Sequence, residues 1–339
     1  GKGEGILRLE HFNYLNSNPP TITSLENHCF MMLALTGCTG KIGGAVLQAI
    51  FSENLIPPSE LVICTSSDSE DARWDNIKSQ GVVVRQSNYN DPDSMVKAFS
   101  GCSKLFLVST PRIEMDFNNA LTGTGRERHH IDAIKAAQKS GVQHIYYTSL
   151  AFGSDSKAGV MQAHLRTEAF LKGLNGISFT IVREGIYNES WPLYFGYYDL
   201  ENDDRREVVT AGDGLISWTS ISDLGCATAL VLTDSSTRYD NSTLYLSNST
   251  TKTLKDIAAI VSKIKRQEIS LKTVPPKEYC DYYSKKSKDR ASVEWWSTTY
   301  AALEQDECCI KGSILTELLL SRGRVPKAVE QSIEEMLHS

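Results

Sequence analysis

No apolar run in the 339-residue chain reaches the roughly 18 residues that a membrane span needs. Positive charge is not in excess either. Lys and Arg number 35 against 41 Asp and Glu, a formal net charge of -6. That balance argues against non-specific binding to nucleic acid or to an acidic membrane surface. Metal spacing is also missing. The cysteines Cys29, Cys38, Cys64, Cys102, Cys226, Cys280, Cys308 and Cys309 form no C-x-x-C pair and no Cys/His cluster, so no metal site is expected. Several stand in apolar text, where Cys acts as a small hydrophobe. Free thiols then point to a reducing, cytoplasmic compartment. Gly and Pro are not in excess, and no internal repeat or low-complexity block occurs. What is left is an ordinary globular composition, 41% hydrophobic and 22% charged.

Residues 1 to 30 carry no sustained period and end in turn-rich text, NYLNSNPPTITSLENH. They lack an apolar segment followed by a small-residue cleavage site, so they do not read as a secretory signal. A leader or loosely packed extension is expected there, ahead of a start at Met31 or Met32.

From residue 31 to 184 short β-branched runs alternate with helical text. FMMLALTG, ELVICTSS, VVVRQSNY, KLFLVST, HIYYTSL and SFTIVREG read as strands. KIGGAVLQAIFSEN, DSEDARWDNIKSQG, DPDSMVKAFSGC, RHHIDAIKAAQKSG and MQAHLRTEAFLKGL read as the helices between them. Short connections in this order predict an α/β fold, a doubly wound Rossmann-type parallel sheet with helices on both faces. Two long connections, from Pro111 to about Arg126 and from Ala151 to Gly159, follow strands at the end of the sheet where ligands bind. Residues 185 to 339 are expected to form a smaller α+β substrate-binding lobe, some of whose segments return to the sheet.

LALTGCTGKIGGAVLQAI places Gly37, Gly40 and Gly43 between a strand and a helix. One glycine permits the sharp turn, one lets backbone approach a pyrophosphate, and one lets helix pack on sheet. The helix start adds N–H donors and a positive dipole end. Gly37, Cys38, Thr39, Gly40, Lys41, Ile42 and Gly43 are therefore the expected dinucleotide cradle. The second strand ends in Thr65, Ser66 and Ser67 with no carboxylate before Asp68. Hydroxyls tolerate a ribose 2′-phosphate that a carboxylate would repel, so NADP(H) is preferred and NAD(H) stays open.

LTGCTGKIGG, AAQKSGVQHIYYTSL, HLRTEAFLK, FTIVREGIYNES and TAGDGLISWTSISDLG occur in this order. Together they resemble the NmrA-like branch of the atypical short-chain dehydrogenases, closest to its quinone-oxidoreductase and fungal members. The resemblance implies that Asn88 and Tyr89 flank the adenine. It sets Ser109 and Thr110 beside the pyrophosphate and ribose, and Thr148 and Ser149 under the nicotinamide. Ordinary short-chain dehydrogenases carry Tyr-x-x-x-Lys on the helix after the fifth strand. Glu168 resembles the Glu four residues beyond that Lys, which puts His164 at the Lys position and Val160 at the Tyr position. The usual acid is missing.

A quinone or enone spreads the charge left by hydride addition and needs a weaker proton donor than a simple ketone does. His164 is expected to hydrogen-bond the ribose or to donate a proton, with Tyr147 and Tyr187 as alternative donors. Glu184 stands where some quinone-reducing members carry Asn, and would alter the charge of the pocket. Tyr187, Trp191 and Tyr194 are expected to stack on a planar substrate. Three functions follow. One is an NAD(P)H-dependent reductase acting on a small planar or conjugated carbonyl compound. The second is an NAD(P)-binding redox sensor that contacts a protein partner. The third is a biosynthetic reductase of an imine or enone.

Overall fold

The computed structural model describes residues 32–286 and 288–338; the expected leader, Met31 and Cys29 lie outside them. Six strands form at the apolar runs: β1 Met32–Leu35, β2 Leu61–Thr65, β3 Val83–Gln86, β4 Cys102–Leu107, β5 His144–Leu150 and β6 Ser178–Glu184. All pair in parallel. Ala34, for example, lies between Val62 of β2 and Leu105 of β4. A strand buried on both faces needs apolar residues at consecutive positions, which is why these segments read as runs rather than alternations.

The intervening helices are α1 Lys41–Ser52, α2 Asp75–Ser79, α3 Pro92–Phe99, α4 Glu127–Ser140 and α5 Gly159–Lys172. Leu33 and Leu35 pack with Val46 and Ile50 of α1, whereas Ala34 and Val62 pack with Met95 and Phe99 of α3 and Ile134 of α4. Asp91 caps α3 by accepting from Ser94 N–H, with Pro92 in its first turn. One helix is shorter than its text suggests. Asp68 and Asp71 accept from the backbone N–H groups of Glu70 and Arg73. These local turns compete with helix, so α2 begins only at Asp75.

The chain beyond residue 184 is split between two places. After the one-turn α6 Trp191–Tyr194 and β7 Glu207–Thr210, helix α7 Ile221–Thr233 returns to lie along α1. A Cβ on Gly225 would stand 2.6 Å from Ala45 Cβ, so glycine permits that close approach. Strand β8 Ser242–Leu246 then adds to β6 and completes a seven-stranded sheet ordered β3-β2-β1-β4-β5-β6-β8. The order reverses direction between β1 and β4, which opens a crevice at the C-terminal ends of those strands.

The rest makes the lobe. It comprises α8 Leu254–Lys265, β9 Ser270–Thr273, α9 Pro276–Lys285, α10 Arg290–Glu304, α11 Leu315–Leu320 and α12 Val329–Leu337. α11 packs back on the sheet layer through Leu315, Leu318 and Leu319, and α10 meets the start of α5, where Thr298 accepts from Gly159 N–H at 2.7 Å. β9 pairs with β7 in a separate two-stranded sheet.

Candidate functional site

The crevice holds the glycine loop. Thr36 clips β1 to β4: its hydroxyl donates to Phe106 O at 3.0 Å and accepts from Val108 N–H at 2.9 Å. Gly37 then turns with φ +67°, and a Cβ there would stand 2.8 Å from Val108 Cβ. A Cβ on Gly43 would fall 2.0 Å from Gly37 O. Gly40 caps α1, which has no side-chain cap and no acidic residue in its first turn. Its open N–H groups and dipole end therefore face the cavity with nothing to neutralise them.

That cavity has a volume of about 730 Å³. Residues 37–42, Thr65, Ser66, Asn88, Tyr89, Ser109 and Thr110 line it, as does Tyr187. Lys41, Arg112 and Arg126 also line it, and no Asp or Glu does among the described residues. The charge pattern suits a polyanion with a phosphate at the β2 end. Asp68 is turned away to Glu70 N–H, and Arg73 is paired with Asp71. Beside Tyr89 the His129 ring stacks at 4.8 Å between centroids.

Five expected cofactor residues do not line the cavity, His164 among them. Gly43 packs behind the loop. Ser67 turns to Thr65, oxygen to oxygen at 2.7 Å. Thr148 Oγ1 accepts from Ser109 N–H at 2.9 Å, and Ser149 donates to Glu168 at 2.6 Å. Glu168 in turn holds the Arg183 guanidinium at 2.8 Å. These side chains brace the strand ends.

Tyr147 and His164 are buried and bonded to each other at 2.7 Å, phenol oxygen to Nδ1. His130 stands on the other side of the phenol at 3.2 Å and accepts from Thr110 N–H through Nε2. Burial, with the Arg126 charge nearby, holds both imidazoles well below their ordinary pKa. Burial raises the Tyr147 phenol. Burial thus favours the neutral form of all three rings.

Glu184 is 1% exposed and points to the opposite face of the sheet from His164. Its Oε1 accepts from Thr228 of α7 at 2.6 Å, while Oε2 has no partner among the described residues. Burial pushes its pKa up to about 8, against a small opposing effect of the Thr228 hydroxyl. It does not reach the cavity as a pocket charge. Trp191 and Tyr194 are likewise turned inward. Trp191 packs on Phe195 and Tyr198, and Tyr194 meets Trp218 and Trp296 edge-on at 5.4 and 4.9 Å. They fill the core of the lobe and offer no face for stacking.

The model of the NmrA-like family matches residues 31–288. The chain belongs to the NmrA-like family. An NmrA-like family domain-containing oxidoreductase of Aspergillus flavus is 28% identical over 313 residues, which are 91% of this chain and 95% of that protein. Quinone oxidoreductase 2 of Escherichia coli is 27% identical over 248 residues, 73% of this chain and 79% of that protein. Among solved structures, the Citrobacter triphenylmethane reductase complexed with NADP(H) superposes with a TM-score of 0.72 at 26% identity. That match covers 90% of this chain and 99% of the reductase.

For this NmrA-like chain the sequence did not point to Arg126, Asp116 or His130. Arg126 is 4% exposed, and its Nε donates to Asp116 at 2.6 Å. Its backbone N–H bonds the same carboxylate, and its Nη2 reaches Val160 O at 2.8 Å. One guanidinium thus ties the long loop after β4 to the start of α5. The only signal was an Arg-and-His-rich helix start, RERHH, closing the long connection.

Proposed function

We propose that this NmrA-like chain is an NADPH-dependent reductase that passes hydride to a quinone or related conjugated carbonyl compound. The observation that carries the reading is the glycine-cradled cavity with three cationic side chains and no carboxylate. A dinucleotide fits it: residues 37–42 and the open first turn of α1 hold the pyrophosphate. Thr65 and Ser66 admit a 2′-phosphate, with Lys41 as its nearest cation on the loop. Bound NADPH supplies the hydride. The chain supplies no side chain at the Val160 position that could protonate a simple alkoxide, which favours an acceptor that delocalises charge. Of the two tyrosines expected as alternative donors, Tyr187 is the one that lines the cavity. The names of the relatives, oxidoreductase and quinone oxidoreductase, fit this reading.

The test is NADPH oxidation by the purified full chain against quinones, enones and cationic triarylmethane dyes. Turnover with NADPH exceeding that with NADH is expected. Binding of NADPH with no turnover across the panel would favour the sensor reading instead. That second reading draws on the burial of Tyr147 and Glu184, two of the side chains expected to carry the chemistry.

A further inference from the structure

Four buried groups form one hydrogen-bonded chain whose direction is fixed at one end. Thr110 offers a backbone N–H, which can only donate. It donates to His130 Nε2 at 2.9 Å, so that nitrogen is bare and a neutral His130 carries its hydrogen on Nδ1. Nδ1 faces Thr167 Oγ1 at 3.0 Å and the Tyr147 oxygen at 3.2 Å. The Thr167 hydroxyl gives its own hydrogen to Ala163 O at 2.8 Å. The Thr167 and Tyr147 oxygens share the His130 hydrogen, and the Tyr147 hydrogen is then assigned to its shortest partner, His164 Nδ1 at 2.7 Å. His164 Nδ1 is then an acceptor, and a neutral ring keeps its hydrogen on Nε2. That N–H has no acceptor among the described residues.

We propose that the chain Thr110–His130–Tyr147–His164 is a positioning device: it locks His164 as the Nε2–H tautomer and leaves that N–H to donate to an oxygen of bound cofactor or hydride acceptor. The inference deepens the reductase reading and rests on it for the identity of the ligand. Thr110 lines the cavity, so the device begins at its wall. His164 itself is 1% exposed and is not among the lining residues, so its tie to the wall runs through its helix. Arg126, also on the wall, bonds Val160 O, one helical turn before His164 on the same face of α5. A protonated His130 would turn an Nε2–H against Thr110 N–H, and a protonated His164 would turn Nδ1–H against the Tyr147 hydroxyl hydrogen. Geometry thus opposes the charged forms, and burial together with Arg126 acts in the same direction. His164 is a hydrogen-bond donor in this arrangement and no proton source. Tyr147, which touches no ligand, is a positioning residue.

The test labels the seven histidines with ¹⁵N in the full chain and reads the imidazole nitrogens by NMR. Loss of one resonance set in His164→Gln assigns His164. Without cofactor, the wild-type His164 is expected to show a protonated Nε2 and a bare Nδ1. A protonated Nδ1, a charged ring or a tautomer mixture would overturn the proposal, and this readout needs no turnover. Tyr147→Phe is expected to release His164 into a mixture of tautomers. It should lower kcat by roughly tenfold or more while KM for NADPH changes less than about twofold. An unchanged tautomer in that variant would also overturn it. Addition of NADP⁺ should move the Nε2 resonance if the cofactor supplies the oxygen. Movement only on adding a quinone with NADP⁺ identifies the acceptor as its source. No movement with either removes the donor role. Failure of the reductase reading appears separately, as the expected tautomer with no NADPH oxidation.

Discussion

Replacing Glu184 by Gln removes an acid that the fold keeps almost fully from water, and its effect on stability should depend on pH in one direction only. The side chain is 1% exposed, accepts one hydrogen bond from Thr228 and leaves Oε2 without a partner among the described residues. Burial moves its pKa from 4.5 to about 8. The native state therefore holds a proton that the unfolded chain releases. With the folded pKa raised, the native advantage is complete below about pH 4.5 and is lost as pH climbs to about 8. Each unit costs about 1.4 kcal/mol, so the 3.5 units between the two values set a ceiling of about 5 kcal/mol. Gln keeps the shape and the Thr228 bond but cannot ionise. Urea unfolding of both proteins, at closely spaced pH from 4.5 to 9, isolates the group because other titrations cancel in the difference. Near pH 5 the two should agree within about 1 kcal/mol. By pH 8 the variant should be the more stable by a few kcal/mol. A difference that stays flat with pH, or that falls as pH rises, would refute the reasoning.

Gly43→Ala should weaken NADPH binding at least roughly tenfold and destabilise by about 1–3 kcal/mol, because the new methyl meets Gly37 O at 2.0 Å. Fluorescence titration and thermal unfolding read the two effects. Ser66→Asp should cut the NADPH-to-NADH preference by about tenfold or more in kcat/KM, a carboxylate then facing the 2′-phosphate. Trp191→Ala should cost about 3–5 kcal/mol in urea unfolding, since the ring fills the lobe core. Arg126→Met should cost about 3–5 kcal/mol by leaving Asp116 buried and unpaired, and Asp116→Asn in the same chain should recover part of it.

The strands and the glycine loop were legible because each is encoded in adjacent residues. A parallel strand needs an unbroken apolar run, and the loop needs Gly37 and Gly43 where no Cβ fits. The Arg126–Asp116 pair was not legible, since its members stand ten positions apart across irregular chain and nothing local says that the loop folds back on itself. The aromatic segment failed differently. Trp191 and Tyr194 carry the same composition whether they face a ligand or a lobe interior, and only the packing of Trp218 and Trp296 against them decides. His164 occupied its expected helix, but its bonding depends on His130, which comes from another helix and carried no spacing signal.

The late arrival of β8 bears on how this protein could be cut or made. The strand that closes the sheet beside β6 begins at Ser242, after the chain has already visited the lobe. A fragment ending at residue 184 would possess every cofactor-cradle residue named above and yet present β6 as a bare sheet edge. Five residues, Thr180 to Glu184, would lose their ladder partner, and α1 would lose its cover by α7. Bare edges recruit other chains. The dinucleotide half is therefore no excisable module, and on the ribosome it should stay open to chaperones until the segment up to Leu246 has emerged.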